Sequence, residues 1–188
     1  MSEPQFNRPD DRPKRAAWDE RTEALLREWH DRAAAARSAH YLLASRMRRR
    51  NIAVGVPAVV LSAVVGTSLF ATLSEANVPT SLRVTIGLIS LIAAVLAALQ
   101  TFFGFAQRAE RHVIAGDWYS AIRRQMEETI ALPEEERDPP RECLDGIRKE
   151  MSKISQQAPE IGQALWRRTA DDYGVIEAPK AGRTGAPS

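Results

Sequence analysis

His30, His40, His112 and Cys143 are the side chains of this 188-residue sequence with the most obvious capacity for metal binding, proton transfer or nucleophilic attack. Metal centres and catalytic pairs need such groups at short, regular spacing, because several ligands must converge on one point. No histidine here has a second His, Cys or acidic residue at a recognised metal-ligand spacing. His40 falls on an apolar stripe, where a packing role outweighs a ligand role. Cys143 stands alone, so no internal disulfide is open to it. Adjacent acids such as Asp171 with Asp172, and Glu134 to Glu136, belong to solvated helix ends and loops. Neither a glycine-rich phosphate loop nor a G-x-S-x-G elbow is present. A non-enzyme without cofactor or metal is expected. What remains is weakly polar chemistry: the hydroxyls and amides of Ser62, Ser90, Gln100, Thr101 and Gln107, set in segments otherwise stripped of charge.

Those segments decide the fold class. From Ile52 to Leu73, and again from Val84 to Gln107, there is no Asp, Glu, Lys or Arg. Each exceeds the roughly 20 apolar residues that a helix needs to cross a bilayer. The overall 27% of charged residues and the mean hydropathy of -0.31 conceal them. Two buried helices of a soluble globule would alternate polar and apolar faces, whereas these are apolar all round. A cleaved signal peptide fits poorly, because a long polar stretch precedes the first segment.

Charge sets the orientation. Arg46, Arg48, Arg49 and Arg50 abut the first segment, Arg108 and Arg111 abut the second, and the connection SEANVPTSLR sets only Arg83 against Glu75. Cytoplasmic flanks of membrane helices collect Arg and Lys, so both termini are expected in the cytoplasm, with a short outward loop at Asn77 and Pro79. The same arginines suit acidic lipid headgroups. A net charge of +2 gives no case for a nucleic-acid partner.

The expected protein is therefore all-α: a two-helix transmembrane hairpin with long cytoplasmic helical extensions forming a stalk, plus short C-terminal helices. Disordered tails are expected over 1–15 and 175–188, from their Pro, Gly and polar content. Between them lie a cytoplasmic helix over 16–50, the hairpin over 51–107 with spans near 52–73 and 84–107, a second cytoplasmic helix over 108–132, and C-terminal helices over 133–174. Trp18, Leu25, Trp29, His40 and Leu43 recur at helical steps and predict the packing stripe of the first arm. Ile114, Trp118, Ala121, Ile122, Gln125 and Thr129 predict its counterpart, pairing as in a coiled coil. Leu144, Ile147, Met151 and Ile154 mark another amphipathic helix, and a last one runs from Glu160 to Tyr173, stopped by Gly174.

Within the second span Gly87, Ser90, Ala94, Ala97, Thr101 and Gly104 follow three- and four-residue steps, so one face carries only small side chains. Ser62 and Gly66 continue the pattern in the first span, where Pro57 could bend the cytoplasmic end. Small residues let helices approach closely in lipid. Such a seam could pack on the partner span of the same chain, or join several copies around a narrow pore lined by Ser90, Thr101, Gln100 and Gln107. No ionisable residue interrupts either span, which argues against an ion-coupled transporter.

The run ARSAHYLLASRMRRR, a first span, a short loop, and a second span followed by FGFAQRAERHVIAGDWYSAIRRQMEE resembles the SLATT family of two-transmembrane proteins over about residues 20–155. That resemblance implies a homo-oligomeric effector of bacterial defence or conflict systems, which compromises the membrane when a nucleotide second messenger or a nucleotide-sensing partner signals. No nucleotide-binding domain is recognisable in this chain. The alternative is a passive anchor or scaffold whose cytoplasmic helices recruit a soluble partner, and a membrane enzyme is the weakest of the three classes.

Overall fold

The computed structural model describes residues 17–72 and 78–175, of which 88% are helical and none is in a strand. The tail over 1–15, most of that over 175–188 and the turn at Asn77 lie outside the described residues. Five helices follow in order: α1 (Glu20–Thr72), α2 (Thr80–Phe103), α3 (Phe105–Ala131), α4 (Pro140–Gln157) and α5 (Gln163–Asp172). A 3₁₀ turn, Glu134–Glu136, joins α3 to α4.

α1 starts where Asp19 caps it, its Oδ1 accepting the Thr22 amide N–H at 2.7 Å. Ala, Arg, Glu and Leu then keep it going for 53 residues, about 80 Å at ~1.5 Å per residue. Pro57 does not interrupt it, so arm and first apolar segment are one rod. The second apolar segment differs from the single helix expected over 84–107. Gly104 adopts φ +54°, its N–H closing α2 on the Gln100 carbonyl at 3.2 Å, and α3 starts at the next residue. Left-handed backbone is accessible to glycine without the Cβ clash that other residues suffer.

α1 runs antiparallel to both α2 and α3, since partner numbers fall as its own rise: His30 meets Glu127, Tyr41 meets Asp117, and Asn51 meets Gln100. The core lies at the end away from the apolar segments. There Leu26, Ala33, Ala35, Ala36, Ile122, Met126, Ile147 and Trp166 cluster, with Leu144, Met151 and Ile154 of α4 packed against them. Val175, assigned to a disordered tail from sequence, is buried in that core. α5 ends before Gly174, whose φ of +68° suits its stop role.

Two packing assignments change. Trp18 precedes α1 instead of riding on it: its amide N–H donates to Glu134 Oε1 (2.9 Å) and its indole N–H to the Asp138 carbonyl (3.2 Å). Arg137 lies over its ring, donates to the Ile130 and Leu132 carbonyls at the end of α3, and bonds Glu23 of α1 at 3.0 Å. One guanidinium thus ties the α3 terminus to α1.

The face predicted for α3 is also not the one it buries. Trp118 is 37% exposed and Ile114 40%, while Ala109, His112, Ala115, Gly116, Tyr119, Ile122 and Met126 are buried. Of the predicted stripe only Ile122 faces α1 fully. The reason is the partner surface: α1 presents Ala33, Ala36 and Ala39, the helices close up, and the contact admits small residues and flat rings but not a tryptophan. At Gly116 an added Cβ would stand 2.9 Å from the Tyr41 ring. On α1 the deep leucine is Leu26, 1% exposed, with Leu25, Trp29 and Leu43 only partly buried.

Candidate membrane-embedded face and the polar contacts beneath it

α1 and α2 each contain a stretch long and apolar enough to cross a membrane, and only 11% and 6% of their most apolar 18-residue windows are buried. A core helix of a soluble globule would be mostly covered. Here Val59, Leu91 and Phe102 are 69%, 61% and 82% exposed. Hydroxyls on these stretches bond their own helix, Ser62 to the Ala58 carbonyl, Ser90 to Ile86 and Thr101 to Ala97. Such back-bonding lowers the cost of a hydroxyl in an apolar setting.

The contact between α1 and α2 sets Asn51 and Gly55 on one side against Gln100 on the other. Ala58 and Ala93 are buried, and Gln100 Nε2 donates to Asn51 Oδ1 at a long 3.4 Å. Gly55 makes room, because a Cβ there would meet Gln100 Nε2 at 2.7 Å. Gln100, predicted as a pore-facing amide, is thus turned toward α1 within the chain.

The predicted seam lies elsewhere on α2. Gly87, Ala94, Ala97 and Thr101 are exposed, and Ser90 is half-buried. At 100° per residue the seam is centred roughly 80° round the helix from the face turned to α1. Ser62 is exposed, and neither Gly66 nor Gly87 has any atom within 4 Å of an added Cβ. Gly104 stands at the helix break and is not a step in a continuous stripe, while Gln107 is exposed on α3 beyond it. Arg46, Arg48, Arg49, Arg50, Arg108 and Arg111 are all exposed where α1 and α3 meet the apolar stretches.

Below that level the fold assembles a group that linear spacing hid. His40 of α1 and His112 of α3, 72 residues apart, face each other with Nδ1 atoms 3.0 Å apart. Both are buried, 1% and 5% exposed, and the Tyr119 ring stacks on His40 with centroids 5.6 Å apart. For this hydrogen bond one ring must carry Nδ1–H while the other offers a bare Nδ1 and keeps its proton on Nε2. Burial, reinforced by the neighbouring imidazole, pushes His40 down to about 4, and burial lowers His112 as well. Burial also pushes the Tyr119 phenol and the half-buried Cys143 thiol up. Only the antiparallel register of α1 and α3 could have revealed the pair. His30 joins the same interface farther down, between Asp31 Oδ1 (3.0 Å) and Glu127 Oε1 (3.2 Å). Among the described residues no three His, Cys, Asp or Glu side chains form a group that could hold a metal.

No protein-family model, curated protein or solved structure matches the chain.

Proposed function

We propose that this chain is an oligomeric membrane effector: α1 and α2 cross the inner membrane as a hairpin, the paired arms stand in the cytoplasm as a stalk, and copies join through α2 to form a pore. The observation that carries this reading is the small-residue face of α2, Gly87, Ala94, Ala97 and Thr101, left exposed when α1 has taken its own contact. In lipid, association of helices rests on close packing, and a face of this kind is what a second helix needs. The arginines at the apolar boundary orient the hairpin and meet acidic headgroups. The resemblance to SLATT proteins adds a trigger, a nucleotide signal or an activated partner acting on the cytoplasmic helices in a bacterial defence system.

Dye release from liposomes carrying the full-length protein tests the reading. Ala97→Leu and Gly87→Leu, at equal insertion, are expected to abolish release. Release undiminished in both would remove α2 as the working surface. Gly104→Leu is unsuitable, because φ +54° strains any side chain there whatever it touches.

A scaffold reading is favoured by one feature, the exposed Ile114 and Trp118 on α3, a surface for a soluble partner. Under it, Trp118→Ala removes partner binding while the α2 variants behave as wild type.

A further inference from the structure

We propose that His40 and His112 form a proton-operated latch between α1 and α3, closed while both rings are neutral and released when they take up protons. The geometry leaves little room for another state. With the two Nδ1 atoms 3.0 Å apart, only opposite tautomers put a donor against an acceptor. Two imidazolium rings would set N–H against N–H and charge against charge. A single added proton keeps an N–H···N bond but leaves a cation on rings that are 1% and 5% exposed, beside the Tyr119 ring.

Among the described residues, no carboxylate is shown bonded to either ring. From α3, Tyr119 stacks on His40 with its hydroxyl held protonated by burial, and Asp117 is occupied by the Tyr41 hydroxyl at 2.6 Å. Within a turn along the helices the charged neighbours are Arg37, lying over the Tyr41 ring, and the exposed Arg108 and Arg111 with Glu110. Just past α5, the Tyr173 hydroxyl is 2.9 Å from that of Ser38, two residues from His40. The forces acting on the two rings are burial and, for His40, the other imidazole, both opposing the charged form. Once apart and wetted, each ring regains an ordinary affinity for protons, so acid favours the open arrangement by up to about tenfold per pH unit for each ring that ionises.

The position gives the latch leverage. It lies 11 residues, about 16 Å along α1, below the Asn51 to Gln100 contact, at the top of the cytoplasmic helix pair. Separation there opens the α1 to α3 contact at its Gly104 end, while Met126 of α3 stays anchored in the core with Leu26 and Ile147. The latch does not depend on the spans forming a pore.

Spin labels at Leu42→Cys and Ile114→Cys in a Cys143→Ser background report the α1 to α3 distance in the full-length protein in detergent. Both labelled positions are exposed. A single short distance is expected at pH 8, with a longer population growing as pH falls below 6.5. In His40→Gln combined with His112→Gln, two amides keep a hydrogen bond without titrating, and the short distance should persist to pH 4. A wild-type distance unchanged from pH 8 to 4, or the same acid response in the double variant, overturns the latch. Should that variant not fold, nitrogen chemical shifts of the wild-type imidazoles decide. Opposite neutral tautomers at pH 7.5 are expected, and two like tautomers overturn it.

Discussion

At the scale of single residues, small side chains and one buried imidazole pair carry the strongest consequences. Gly116 sits in mid-helix, where alanine would ordinarily gain roughly 1 kcal/mol of helix propensity. Here a Cβ would press on Tyr41 at 2.9 Å, and the ring is tethered by its 2.6 Å bond to Asp117. Gly116→Leu is therefore expected to lower stability by about 1–3 kcal/mol, as overpacking does, read as the denaturation midpoint of the detergent-solubilised protein. The histidines give a pH prediction with a definite sign. His40 binds its proton near pH 6.5 when unfolded and only near 4 when folded. Above 6.5 neither state is charged and stability is full. As pH falls from 6.5 to about 4 the unfolded state takes up the proton first, so stability declines, by up to about 1.4 kcal/mol per pH unit for one ring, and then levels off. His40→Gln should flatten that part of a melting-temperature profile, and an unchanged slope would mean that other groups set the acid sensitivity.

The helices raise a different issue, namely which face does the packing. On α3 the bulky stripe of Ile114 and Trp118 points outward and the stripe of Ala115, Tyr119, Ile122 and Met126 points at α1. Ile122→Ala should cost about 2–5 kcal/mol, the usual range for emptying a buried aliphatic site. Trp118→Ala should cost less than about 1 kcal/mol, despite losing the larger side chain. Chemical denaturation of the two variants side by side separates the two sides of α3, and the reverse ranking would place the interface on the side of Ile114 and Trp118. Arg137 matters at the same level, because it joins the last carbonyls of α3 to Glu23 of α1 while lying over Trp18. Lysine cannot reproduce that fork, so Arg137→Lys should loosen the start of α1, visible as faster amide exchange in its first turns.

For the whole molecule the governing fact is that one end has a core and the other has little but exposed apolar surface. A rod about 80 Å long at ~1.5 Å per residue is far longer than the roughly 30 Å needed to cross a hydrocarbon layer, so under the proposed function much of α1 projects from the membrane. The four arginines from Arg46 to Arg50 sit at the transition. Replacing all four with glutamine should produce mixed orientations, measured with reporters fused to the C-terminus that are active on one side of the membrane only. A population that stays uniformly oriented would transfer the signal to Arg108 and Arg111.

The all-helical character and the two apolar stretches were legible because they follow from local rules. Uninterrupted Ala, Leu and Arg content and the glycine stop at Gly174 set where helices run and end, and the charge-free runs betray the apolar stretches without any knowledge of partners, whereas the break at Gly104 inside the second stretch was not foreseen. The seam on α2 could likewise be written down as a spacing. What spacing cannot tell is which face meets which helix, since that depends on the shape of the opposite surface. The alanines of α1 draw α3 in until only small residues and flat rings fit, which turns Trp118 outward and brings His40 against His112. In the same way Gly55 takes Gln100 against α1, and the seam faces outward. Only tertiary packing, by choosing register and closeness of approach, could make a pair of residues so far apart in the chain into neighbours.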